Sequence, residues 1–169
     1  MIQVGFSSAT GFWSFLSWII RKATGRAYSH CWLLLDGADA IDGTAMVLQE
    51  DEKGGLAYVP YTGFGVGKTI VKIVLPSYPL RTGVDALNQI LGTGYDVPGL
   101  FGEGWVLVMR DWFKRKVRNP LRSANAMWCS EAVAYAIEKA GGYANAKPDD
   151  WQLCTPGDVD DLLAGKTIG

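Results

Sequence analysis

Cys129 and His30 are the two side chains in this 169-residue chain whose types and settings suit covalent chemistry. From Cys129 onward, apolar residues fall at Cys129, Ala132, Val133, Ala136, Ile137 and Ala140. That spacing predicts a helix with one buried face. Gly141 and Gly142 would end it, because glycine accepts the left-handed conformation of a helix C-terminus. Asn125 is the expected cap at its start. Cys129 then lies in the first turn, where unpaired N–H groups and the positive end of the macrodipole favour an anion. A thiol of reference pKa about 8.5 is mostly protonated at neutral pH, but a helix start and a nearby imidazolium can lower that value by several units.

His30 is the only histidine. It opens an apolar and aromatic run, Tyr28 to Asp36, that predicts a buried strand followed by a turn at Asp36-Gly37. A thiolate at a helix start and an imidazole on a strand are a nucleophile and its base. The base takes the thiol proton and later protonates the leaving group. A third polar group should hold the far ring nitrogen and so select the tautomer. The strand from Met46 to Glu50 offers Gln49 and Glu50. Alternation puts them on opposite faces, so only one can point at His30; Glu50 taken alone reads as a solvated strand residue. The oxyanion would be held by the Cys129 backbone N–H and one further donor, for which Tyr28 is the candidate. Cys31 and Cys154 read as inert buried thiols, and Cys31 points away from the face carrying His30.

These residues need a sheet and helices to hold them. Strands are expected at Ile2–Phe6, His30–Asp36, Met46–Glu50, Leu56–Tyr61 and Thr69–Leu75. A turn over Asp51–Gly55 joins the third and fourth, and Ser7–Gly11 is expected as a loop. Helices are expected over Phe12–Thr24, Val84–Leu91 and Gly99–Val117, from Cys129, and after Thr155, with Thr155 as cap and Pro156 in the first position. The residues from 92 to 98 read as a loop. Strands gathered early and helices late predict one α+β domain over 1–169, an antiparallel sheet with helices on one side. The segment Gly63 to Thr69 ends like a phosphate-binding loop. That motif needs glycine at position 62, where Thr62 stands, and it must open a helix. It is therefore read as a strand-to-strand loop with a solvated Lys68.

Composition narrows the function classes. Hydrophobic residues make up 49% and charged ones 20%, with a formal net charge of −1. No clustered basic surface of the kind nucleic acid requires is evident. Three cysteines without a CxxC pair, and a single histidine, argue against a disulfide framework and a zinc site; no metal or cofactor is expected. Neither a signal peptide nor a transmembrane segment is expected. Cytoplasm, release by lysis, or carriage in a phage particle all fit. Phe12, Trp13 and Trp18 would suit peripheral contact with a membrane surface, as would the basic Lys114–Arg118.

Four segments together resemble a known family. They are Ile20–His30, with its Tyr28-Ser29-His30 end; Met46–Gln49 with Gly55 and Val59-Pro60 after it; Trp128–Val133, with Cys129-Ser130-Glu131; and Thr155–Asp158. Their order and spacing resemble the circularly permuted papain-like cysteine hydrolases, most closely the YaeF/YiiX-like branch of the NlpC-type superfamily of bacteria and phages. Histidine precedes cysteine, as the permutation requires. The resemblance implies a papain-like fold, Cys129 as nucleophile, His30 as base and Gln49 in the third polar position, where many relatives are expected to carry glutamate. A glutamine orients an imidazole but adds no charge to stabilise its cation. Lecithin–retinol acyltransferase-like proteins share the permutation, but the residues after their cysteine are unlike Ser130-Glu131. The expected activity is hydrolysis of an amide through an acyl-enzyme, in a peptide, a peptidoglycan stem or an acyl-lipid. The alternatives are a membrane-surface lipid thioesterase or acyltransferase, or a catalytically silent binding module.

Overall fold

Five antiparallel strands form the main sheet: β1 (Ile2–Ala9), β2 (His30–Leu35), β3 (Met46–Asp51), β4 (Gly55–Pro60) and β5 (Lys68–Val74). They lie in the order β4-β3-β2-β1-β5. A computed structural model of the chain describes residues 1–10, 14–51, 55–92, 94–95, 126–142 and 154–165. Its helices are α1 (Ser14–Thr24), the short α2 (Tyr61–Phe64), α3 (Arg81–Asn88), α4 (Cys129–Lys139) and α5 (Pro156–Leu163). Two short strands, β6 (Gly94–Tyr95) and β7 (Ala126–Met127), pair in parallel just ahead of α4. The class is α+β. The expected helix over Gly99–Val117, the basic Lys114–Arg118, and Phe12, Trp13 and Asn125 lie outside the described residues. No helix among the described residues is long and apolar enough to cross a membrane.

Period-two alternation divides the sheet into two faces. Val4, Phe6, Cys31, Leu33, Leu35, Leu48 and Leu56 turn to one face. There they pack against Val84 and Leu87 of α3, Ala132, Val133, Ala136 and Ile137 of α4, and Val159 of α5. Trp32, Leu34 and Val47 turn to the other face and are covered by Phe64 of α2. Trp32 meets the Phe64 ring edge-on at 4.6 Å and passes so close to Gly5 that a Cβ there would lie 2.2 Å from its ring.

Several expected boundaries move. Within the expected loop over 92–98, Gly94 and Tyr95 form β6, and the helix expected to reach Leu91 ends at Asn88. Ser7 and Ser8, expected in a loop, belong to β1: Ser7 pairs with His30 and Ile70, and Ser8 with Thr69. Pairing on both flanks at Ser7, and with β5 at Ser8, overrides the weak strand preference of serine. The third helix starts at Arg81 rather than Val84. Its Gly83 is no breaker; it lets α3 approach α4, since a Cβ there would stand 2.0 Å from the Ala136 carbonyl oxygen. The Gly63–Thr69 segment opens with the end of α2, Gly63-Phe64, passes through a loop, and closes with the start of β5, Lys68-Thr69.

Candidate active site

The first backbone bond of α4 runs from the Ala132 N–H to the Trp128 carbonyl (3.1 Å), so the Cys129 N–H lies ahead of the ladder. Trp128 is the N-cap, with extended backbone, in place of the expected Asn125. The Glu131 carboxylate accepts from the Trp128 N–H at 3.3 Å, the reach-back of an N3 glutamate that fixes a helix start. Cys129 is thereby the first helical residue, 7% exposed, on the side of α4 that meets the sheet.

The residue beneath it is Cys31. Alternation does turn Cys31 away from the face of His30 and Trp32, and the face it turns to is the one α4 covers. Cys31 is not a remote, inert thiol: it touches the candidate nucleophile. The Cys129 thiol is held well below its ordinary pKa, first by a hydrogen bond from the Cys31 thiol. Burial opposes that shift; the charge of His30, a hydrogen bond from its ring and one from the Cys31 backbone support it. Cys31 moves the other way, pushed well up by complete burial and by its bond to Cys129. We assign the anion to Cys129, which has the helix start and the imidazole, and the proton to Cys31, which has neither. None of the three cysteines is in a disulfide; Cys154 is buried in the core beside the start of α5.

His30 is the first residue of β2, at the end of the strand. Its Nε2 lies 3.0 Å from Gln49 Oε1. Of the two third-group candidates, the structure therefore brings Gln49 to the ring. Glu50 lies on the opposite face with Leu48 and Leu56, and at 1% exposure it is not the solvated residue expected. Gln49 Oε1 also accepts from Lys68 Nζ at 3.2 Å, and that ammonium sits 4.3 Å from the centroid of the Phe64 ring. The expectation of a solvated Lys68 is thus corrected. No periodicity pointed to this contact, because Lys68 comes from the far edge of the sheet.

The hydroxyl of Tyr28, the expected second oxyanion donor, is engaged by α5. It donates to Asp160, the Tyr28 ring packs on Phe6 at 4.7 Å, and burial followed by the Asp160 carboxylate pushes the Tyr28 pKa far up. Asp160 also pairs with Lys72 and lies 3.6 Å from Arg26, which bonds Asp161 at 2.5 Å. This cluster ties α5 to the sheet. Thr155 caps α5 as expected, accepting from the Asp158 N–H at 3.2 Å.

Among the described residues no three His, Cys, Asp or Glu side chains are grouped to hold a metal ion. No family profile matches the chain, and no curated protein matches it.

Proposed function

We propose that the chain is a cysteine hydrolase of the circularly permuted papain-like kind, acting on an amide through an acyl-enzyme. One observation carries the reading. The only imidazole in the chain bonds Gln49 through Nε2 and also interacts with a lowered-pKa thiol at a helix start. A strand bearing histidine, ahead of a helix opened by cysteine, in an α+β fold, further supports the permuted arrangement.

The chemistry follows from these positions. The Cys129 thiolate attacks the carbonyl carbon, a C–S bond forms, and the carbonyl electron pair moves onto oxygen. The Cys129 backbone N–H, ahead of the helical ladder, is a donor for that oxyanion. As the C=O re-forms, the C–N bond breaks and the His30 imidazolium gives its proton to the leaving amine. Water then loses a proton to His30 and attacks the thioester. The C–S bond breaks, the acid departs and the thiolate returns. Gln49 accepts from the ring throughout and keeps it aimed.

A peptide or peptidoglycan stem is the substrate class we favour. A lipid substrate at a membrane surface is the second reading, favoured by Phe15 and Trp18 of α1, which are 70% and 49% exposed and stacked at 6.3 Å. A cytoplasmic or phage-borne setting accompanies the first reading. The test is intact-mass analysis after reaction with activated acyl amides and esters. Acylation of Cys129, abolished in Cys129→Ala and His30→Ala, supports the proposal. Equal labelling of Cys31 or Cys154 refutes it, and leaves a binding module. Vesicle flotation lost on Phe15→Ser/Trp18→Ser marks the lipid reading.

A further inference from the structure

We propose that Lys68 is a positioning residue, whose ammonium fixes the Gln49 amide so that its oxygen, never its nitrogen, faces His30. The inference rests on the reading of His30 and Cys129 as a working pair. An ammonium is a donor only. The Gln49 atom that lies 3.2 Å from Lys68 Nζ must therefore be the oxygen, and the same oxygen stands 3.0 Å from His30 Nε2. An acceptor at that point requires Nε2 to carry the hydrogen. The ring has one other nitrogen, so in the neutral ring the lone pair is on Nδ1, the atom left for Cys129. In the imidazolium form Nε2 still carries a hydrogen, and the oxygen still suits it. A flipped amide would offer N–H to Nε2, draw the proton to Nδ1 and remove the base.

A carboxylate at this position would need no such device, because both of its outer atoms are oxygens. A glutamine has one right orientation and one wrong one, and Lys68 distinguishes them. The sheet is shaped to deliver it. Along β5, Lys72 pairs with Phe6 but Ile70 pairs with Ser7, so Val71 is an extra residue in the strand. Such a bulge shifts the alternation by one. Lys72 consequently joins the helix-covered face and reaches Asp160. Lys68, four residues earlier and otherwise on that same face, turns to the face of Trp32 and Gln49. The Phe64 ring under its ammonium, 4.3 Å to the centroid, holds it in place.

The test uses the single histidine of the full-length chain, whose ring gives one unambiguous pair of nitrogen signals in long-range proton–nitrogen spectra. Spectra are recorded above the pH at which the ring titrates. The wild type should show the Nε2–H tautomer. Lys68→Met should raise the Nδ1–H population by roughly tenfold or more, the ratio a hydrogen bond to a charged group maintains between two orientations. Lys68→Arg should restore the wild-type spectrum. Gln49→Glu/Lys68→Met should keep Nε2–H, since a carboxylate has no wrong orientation. Acylation of Cys129 should slow with the tautomer change. An unchanged tautomer in Lys68→Met, or the same change in the double variant, overturns the proposal. Should Lys68→Met misfold, Lys68→Gln is the second variant, and the carboxylate background is read in the same way. A tautomer shift in a chain whose wild type shows no acylation would keep the Lys68 assignment and sink the hydrolase reading.

Discussion

Replacing Cys31 with alanine tests the origin of the Cys129 thiolate. The Cys31 thiol donates to the Cys129 sulfur, and that bond heads the causes of the lowered pKa. A hydrogen bond to a charged group contributes about 1.5–3 kcal/mol, and a thiol is a weak donor, so the low end applies. At about 1.4 kcal/mol per pKa unit, the Cys129 titration should move up by roughly one unit. The sign follows from which form the bond favours. It stabilises the thiolate, so its loss leaves the thiol protonated to higher pH. Cys31→Ser keeps a donor and should retain most of the depression. The assay is the rate of Cys129 alkylation by iodoacetamide against pH, read on the Cys129 peptide by mass spectrometry. The wild-type inflection should lie well below that of a free thiol, and the Cys31→Ala inflection above the wild type. An unchanged or lowered inflection in Cys31→Ala would mean that the helix start and His30 alone hold the anion, and would refute the assignment of donor and acceptor.

Three other outcomes are expected from the packing and the ion pairs. Tyr28→Phe should leave the acylation rate of Cys129 within a factor of about two, because the hydroxyl belongs to Asp160; loss of an oxyanion donor would cost about 10²–10³. Its urea midpoint should fall by the equivalent of about 1.5–3 kcal/mol, the contribution of a hydrogen bond to a charged group. Gly83→Ala should destabilise by about 1–3 kcal/mol or block folding, since a methyl would meet the Ala136 carbonyl of α4; chemical denaturation checks it. Asp160→Asn removes the carboxylate shared by Tyr28, Lys72 and Arg26, so amide exchange should quicken in α5 before it does in α4.

The parts of the site held by local rules were legible in the sequence. The 3.6-residue spacing after Cys129 gave α4 and its buried side, Thr155-Pro156 gave the start of α5, and period-two alternation put Gln49 and Glu50 on opposite faces. Parts held by long-range pairing were not. Ser7 and Ser8 read as loop residues because their strand partners, His30, Thr69 and Ile70, lie far along the chain. Gly83 read as lying before the helix because only the opposing backbone of α4 explains it. Lys68 ended a glycine-rich run and looked solvated; the bulge at Val71 that aims it at Gln49 exists only in the paired sheet. Alternation sets Cys31 on the face opposite His30, but which face α4 covers lies beyond alternation. Tyr28 was close enough in sequence to His30 to suggest a role at the site, yet Asp160, over a hundred residues later, claims its hydroxyl.

The central claim is that Cys129 is an anion under conditions in which an ordinary thiol is protonated. Thiolate ultraviolet absorbance measured against pH, wild type minus Cys129→Ala, reports that group at pH values below the range in which the buried Cys31 thiol titrates. The account predicts an inflection well below about 8.5, the value of a free thiol, with the thiolate lost as the pH falls through the lowered pKa. An inflection at or above the free-thiol value would contradict it.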